Sequence, residues 1–437
     1  MHRFWKTLTG ITLVAGFGAL TLVTAGSALA QEAAKPAKKV KDQAEWELFD
    51  GVTKATEPNA KLKLLTTWKE KYPDSDYKDD RLLLFIQTYA QAGKFVDAIH
   101  SGKELLALDA KNLNAMFFIN NLTPVAYAAG NAPAEALDLA QKAANGLLAA
   151  EMPAGTKPDD WAKAKKDLDT AAHKTLGWAS VQQKNFEKAE EHLAKSLELN
   201  PSQGEVSYWL GSALLQSRKP EKQAPALYHI ARAVVLEPAA GGLPDPNTRK
   251  QIEAYLAKSY TTLHGSAEGL DQVKATARTN ALPPADFTIK TAAQIAAEKE
   301  EEFRKSNPAL ALWMGLKKEL SGENGVQFFA STMKDAQVPG GAGGINQLKG
   351  YLISAKPPAR SKELVIGVAD ANTPEVTLRL ETALTGKPVI GSELSFEGVP
   401  VEFNKDPFMV TFDQAKISGL SMEAPAPARK PAPRKKK

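Results

Sequence analysis

Cysteine is absent from all 437 residues, which removes disulfides, thiolate metal sites and thiol nucleophiles together. Histidine is scarce. His2, His100, His173, His192, His229 and His264 are the full set, and no two stand at the four-residue spacing of a helical zinc site. There is no Gly-x-Ser-x-Gly elbow, and Gly386-Lys387 has Glu381 where a phosphate loop needs its first glycine. The glycine run Pro339–Gly344 neither follows a strand nor opens a helix, so it is no dinucleotide fingerprint. Glu300-Glu301-Glu302 reads as a solvated helix face. The chain is therefore expected to be no enzyme, with no catalytic residues, no metal and no cofactor.

An excess of charge is also missing from most of the chain. The formal net charge is +5, yet residues 421–437 alone hold Arg429, Lys430, Arg434, Lys435, Lys436 and Lys437 against Glu423, which leaves the remainder neutral. A folded nucleic-acid surface is thus not expected. The Pro/Ala/Lys composition of 421–437 cannot build a core and reads as a disordered tail, with contact to an anionic envelope surface as its functional alternative. Residues 31–43 read as a similar Ala/Lys-rich spacer.

One long apolar run stands out. Leu8–Ala25 carries no charge, follows His2, Arg3 and Lys6, and precedes Ala28-Leu29-Ala30, the three parts of a secretory signal cleaved after Ala30. The expected location is the periplasm or the exterior. The alternative is an inner-membrane anchor, because the uncharged stretch Thr7–Gln31 is 25 residues long, and about 20 suffice to span. Its threonines and glycines favour cleavage, and with no cysteine following, a lipid anchor is excluded.

What is present is a repeat. Leu176, Gly177, Trp178, Phe186, Ala189, Leu193, Leu199, Asn200 and Pro201 are echoed by Leu210, Gly211, Ala226, Ile230, Ala233, Leu236 and Pro238, with both Leu-Gly pairs 34 residues apart. This period and skeleton resemble the tetratricopeptide repeat (TPR). The resemblance implies paired antiparallel helices that cross at Gly177 and Ala189, with Asn200-Pro201 ending the second helix. Three more residues separate Gly211 from Ala226 than Gly177 from Ala189, which predicts a longer loop near Pro220 and Pro225. Phe85, Tyr89, Gly93, Phe95, Ala98, Leu105 and Leu108 form a weaker copy, in which Ile86 stands in place of Gly177. Further hairpins are expected over Ala115–Leu147, with Ala136 at the small position, and over Trp46–Tyr72. The motif at Lys71–Tyr77 is similar to the inter-repeat turn of bacterial-envelope TPR proteins.

Helical periodicity continues over Thr248–His264, with Ile252, Tyr255, Leu256 and Tyr260 on one stripe, then over Ala292–Lys305 and Leu310–Leu320. After Pro339–Gly344 the period falls to two. Leu348–Ser354, Glu363–Val368, Glu375–Leu380, Ser392–Phe403 and Pro407–Asp413 are expected strands, and Gly391–Gly398 resembles the fourth strand of an OB-type barrel. Such barrels bind oligonucleotides or oligosaccharides, with Phe396, Phe403, Phe408 and Phe412 as the candidates here, although phenylalanines at strand spacing are more often core.

The fold expected is mainly α: a TPR-like α-solenoid of helical hairpins over 44–265, an additional helical region over 266–338, a Gly-rich linker at 339–347 and a small OB-like β-barrel domain at 348–420. The resemblance implies a protein-interaction scaffold of the cell envelope that grips a protein or peptide on the concave face of the array. The contact positions it implies are Lys174, Trp178 and Gln182, then Tyr208, Ser212 and Gln216, and in the early copy Gln87 and Gln91. Steps of four keep each set on one side of its helix. Packing of Trp178 and Tyr208 against neighbouring repeats is the competing reading. The alternative function is a carbohydrate- or peptidoglycan-associated protein that uses the β domain.

Overall fold

Aspartate, asparagine and proline set the helix starts. The side chains of Asp42, Asn112, Asn185 and Asp245 each accept a backbone N–H from the first helical turn, and Pro58, Pro158, Pro246 and Pro308 open helices where a missing N–H is harmless. The computed structural model describes residues 38–423. The expected signal segment, most of the 31–43 spacer and the tail from residue 424 lie outside the described residues.

The helices run α1 Gln43–Lys54, α2 Pro58–Lys71, α3 Lys78–Gln91, α4 Phe95–Leu108, α5 Leu113–Ala128, α6 Ala136–Leu148, α7 Pro158–Gln182, α8 Phe186–Leu199, α9 Gly204–Gln216, α10 Gln223–Val235, α11 Pro246–His264 and α12 Leu270–Thr279. Helices α1 to α11 pack each on the next, α12 packs on α10, and α5 also touches α7, as α7 touches α9. This is a TPR-like solenoid. The insertion before Ala226 is a short 3₁₀ turn, Pro220–Lys222, between α9 and α10. Among the described residues no helix is long and apolar enough to cross a membrane.

The crossing of α7 and α8 follows the steric argument. A Cβ built on Gly177 would lie 2.5 Å from Leu193 Cγ and Cδ2, and one on Gly211 would lie 2.7 Å from Ile230 Cγ1 and 2.8 Å from the Ala226 carbonyl. Ala189 and Ala226 are fully buried on the facing helices. Only glycine allows this approach.

Two compact units divide between Ala292 and Ala293. The array's packing therefore runs past the expected limit at 265, because Leu270, Val273 and Ala277 of α12 share a core with Tyr228 and Ile230 of α10 and Ile252, Leu256 and Tyr260 of α11. Tyr255 leaves the predicted stripe and is exposed.

The second unit holds α13 Ala292–Ser306, α14 Pro308–Ser321, α15 Gly325–Phe328 and strands β1 Leu348–Lys356, β2 Glu363–Gly367, β3 Val376–Arg379, β4 Glu393–Lys405 and β5 Phe408–Ser418. The strands close into a barrel in the order β1-β2-β3-β5-β4. Its one parallel pair is β3 with β5, through Val376↔Val410 and Leu378↔Phe412. This closure agrees with the small five-stranded β-barrel expected. Trp313 and Leu320 of α14, with Phe329 and Met333, enter the same core as Leu352, Ile366, Leu378, Phe396 and Phe412. Pro339–Gly344 thus lies within one core's span. Its glycines Gly340, Gly341, Gly343 and Gly344 all take positive φ, and Val338 just before them is bridged to Gly398 of β4.

Candidate partner-binding face of the helical array

The face is built by a proline. Pro124 lies inside α5 and has no N–H to give to the Asn120 carbonyl one turn earlier. That carbonyl is taken up from the next hairpin, where Thr175 Oγ1 donates to it at 3.1 Å while Asn120 Nδ2 donates to Ala171 O at 3.1 Å. These bonds fasten α5 to α7. Two turns on from Asn120 and one turn on from Thr175, Tyr127 and Trp178 meet edge to face with ring centroids 5.3 Å apart.

The α7–α9 contact continues the same strip. Lys174 Nζ pairs with Glu205 at 2.7 Å and stands 5.2 Å from the centroid of the Trp209 ring. Trp209 also packs on the cluster of Ala140, Trp178 and Ala179. First helices of consecutive hairpins therefore present Tyr127, Trp178, Lys174, Glu205 and Trp209 along one line.

The predicted contact residues fare differently within it. Lys174 is half-buried and neutralised by Glu205. Trp178 is only 6% exposed, so it serves as the floor on which Tyr127 rests. Gln182 is half-buried. Tyr208 is half-buried and packs on the α10/α11 core, and burial first of all raises its hydroxyl pKa. Ser212 and Gln216 are half-buried, joined by a bond from Gln216 Nε2 to Ser212 O at 3.1 Å. Gln87 and Gln91 lie on α3, half-buried and exposed.

Three rings of the array stand out into solvent: Trp46 at 47%, which stacks on Phe49, and two tyrosines, Tyr127 at 41% and Tyr255 at 42% exposed. The repeat spacing marks neither tyrosine as a contact residue. Tyr127 belongs to a hairpin with no clear Leu-Gly pair to align, and the spacing of Tyr255 assigns it to an apolar stripe that the structure shows it to leave.

A second polar cluster lies on the α7/α8 hairpin, in an open groove of about 650 Å³ lined by His173, Glu187, Glu190, Glu191, Lys195 and Lys222. His173 Nδ1 and His192 Nδ1 are 3.0 Å apart with ring centroids at 5.3 Å. That separation is close to the sum of one N···N contact and two ring radii, so the nitrogens point head-on, as in an N–H···N bond, rather than jointly at a third atom. Burial lowers both pKa values. Among the described residues no group of three or more candidate ligands is placed to hold a metal ion.

In the barrel, Phe396 and Phe412 are fully buried. Phe403 and Phe408 pack half-buried against Phe329 and Trp313. Arg379, exposed on β3, is tied to Glu402 and Asp413. Phe396 and Phe412 are thus core, and Phe403 and Phe408 pack against its edge.

Residues 170–203 match the family model described as tetratricopeptide repeat. No curated protein matches the sequence. Similar solved structures include a MamA RS-1 ArsTM double mutant, at 15% identity and a TM-score of 0.33, over 49% of this chain and 98% of that one. A thermophilic TPR protein of Thermus thermophilus is another, at 18% identity and a TM-score of 0.29, again over 49% and 98%.

Proposed function

From a chain that carries a tetratricopeptide repeat within a solenoid of helical hairpins, we propose an exported scaffold of the cell envelope that holds a protein or peptide partner on its first-helix face. The observation that carries this reading is the strip of aromatic side chains along α5, α7 and α9, where exposed Tyr127 stands edge-on to packed Trp178 with half-buried Trp209 beside it, and α11 adds a further exposed ring at Tyr255. Exposed tyrosines supply large contact area with few rotors to freeze. Because Lys174 is matched by Glu205, the face favours stacking and hydrogen bonding over charge. Export rests on the segment His2–Ala30 alone. No observation favours the carbohydrate-binding alternative.

The test is chemical crosslinking in intact cells, with the intact mass of the recovered protein measured alongside. A discrete partner should be captured by the wild-type face and lost in Tyr127→Ala/Tyr255→Ala, whose helical melt should match the wild type. Capture that survives the double variant moves the partner elsewhere. A recovered chain that still contains Met1–Ala30 removes the cleaved-signal reading.

A further inference from the structure

Among the described residues three tryptophans are buried, Trp68, Trp178 and Trp313. Two of them give the indole N–H to a carboxylate, Trp68 to Glu45 at 2.9 Å and Trp313 to Glu375 at 3.1 Å. Trp178, on the strip of the partner-binding face, is 6% exposed and gives its N–H to no described residue. A buried indole N–H usually finds an acceptor. Nor is this one sealed in, because the fully enclosed side-chain atoms without a partner belong to Asn120, Thr156, His229, Arg232 and Arg249. Trp178 Nε1 is therefore open to an acceptor brought from outside. The half-buried Trp209 beside it likewise donates to no described residue.

The neighbours restrict what that acceptor can be. The Tyr127 hydroxyl and the Gln182 amide have no partner among the described residues either, so the strip is rich in free donors. It offers no free charge, since Lys174 and Glu205 neutralise each other at 2.7 Å. An α-helix keeps its carbonyls for itself except in its last turn. A sugar brings hydroxyl donors that call for a free carboxylate, and Glu205 is taken. A polyproline II segment has every carbonyl unpaired, and its prolines have no N–H that needs an acceptor. The spacing agrees as well. Helices in contact lie about 8–10 Å apart, and α5, α7 and α9 touch in turn. A polyproline II helix advances about 9 Å per turn of three residues, so one turn spans one hairpin step.

We infer that the strip over α5, α7 and α9 recognises a neutral proline-rich segment in polyproline II form. Prolines at every third residue lie along Tyr127, Trp178 and Trp209, and backbone carbonyls accept the two indole N–H groups. The inference rests on the partner-binding reading of this face and narrows the partner to one chemical class. Such a segment is already extended before it binds, so little chain entropy is lost on docking.

The test titrates the full chain, carrying nitrogen-labelled tryptophan, with a neutral Pro-Pro-Ala repeat peptide of about twelve residues. The indole N–H resonances of Trp178 and Trp209, assigned from Trp178→Phe and Trp209→Phe, should move, and those of Trp68 and Trp313 should stay. Trp209→Phe keeps a ring and loses the donor, and should weaken binding about fivefold. Tyr127→Ala/Trp209→Ala should weaken it about a hundredfold with an unchanged melt. Affinity should hold between about 0.05 and 0.5 M salt, because no ion pair is made. Indole signals that do not move, a folded double variant that binds like wild type, or a wild type that prefers an alanine-rich helical peptide, an acidic peptide or an N-acetylglucosamine oligosaccharide overturns the inference. The crosslinking experiment separates the two levels. A partner captured in cells and lost in Tyr127→Ala/Tyr255→Ala, with no binding of the proline peptide, sinks the proline-rich class and leaves the partner-binding face standing. Failure of both sinks the face itself.

Discussion

Glu375 shows how one side chain can fasten a helix to a barrel. It is almost wholly buried at the start of β3, where it accepts from Trp313 Nε1 at 3.1 Å, Val368 N–H at 2.9 Å and Ala369 N–H at 2.7 Å, and pairs with Lys317 of α14. Burial alone would raise its pKa, but Lys317 and the two backbone donors outweigh it, so the net shift is downward. A depressed carboxyl pKa means the contribution to stability is complete above the unfolded-state pKa and is lost as pH falls through the folded one. Glu375→Ala should destabilise the barrel unit by about 3 kcal/mol, the range for breaking a buried pair, and should flatten its acid sensitivity. A chemical melt of the variant at neutral and acidic pH checks both.

His229 works in the opposite chemical setting, with the same sign. It is completely buried, its Nδ1 has no partner among the described residues, and Arg232 lies one turn on, donating to Ala277 O at 2.6 Å and Pro201 O at 2.9 Å. Burial, then the Arg232 charge, push the imidazole down to about 3. The folded array refuses a proton that the unfolded chain takes up below about 6.5, so stability drains away as pH falls toward 3. Replacing the ring with an apolar group removes that term. His229→Met should lose fewer degrees of melting temperature between pH 7.5 and 5 than wild type, in thermal scans at the two pH values. Equal losses would place the acid sensitivity elsewhere. No local pattern in the sequence marks either residue, because a glutamate before a strand or a histidine on an apolar helix face acquires its meaning only from elements that pack on it later.

At the scale of elements, sequence reading does best where a pattern is local and steric. The Gly177/Leu193 crossing and the strand positions follow from spacing alone, since period two and the small-residue frame both survive without tertiary knowledge. The weak copy at α3/α4 carries a different solution. Ile86 and Gly102 occupy the positions of Gly177 and Leu193, both pairs 16 residues apart, and the space at Gly102 is filled from the next helix, where Ile119 Cγ1 would meet an added Cβ at 2.8 Å. Relief of crowding has moved from one crossing to the following one, which a motif search reads only as a missing glycine. The Pro339–Gly344 run misleads for a related reason, since glycines needed for positive φ inside a packed unit have the same composition as a linker. For the clear repeat, Gly177→Ala should cost about 1–3 kcal/mol through overpacking. In the double variant with Leu193→Ala, the loss should be smaller than the sum of the single losses by about 1 kcal/mol or more. Additive losses in denaturant melts would mean the two positions do not meet.

At the scale of the whole molecule, the hydrophobic clusters keep to one unit each. The core around Trp313, Phe396 and Phe412 contains only residues from 312 onward, and the clusters of the array contain none beyond Ile289. The helix that follows the division, α13, has no buried residue and adds to neither. Cooperativity travels through shared core, so two separate cores predict two unfolding events. Scanning calorimetry of the full chain should show two transitions, with Glu375→Ala lowering one and Gly177→Ala lowering the other. The array should melt less sharply than a globular domain of its size, because each hairpin is stabilised mainly by its immediate neighbours. A single transition lowered by both substitutions would mean that array and barrel unfold as one body.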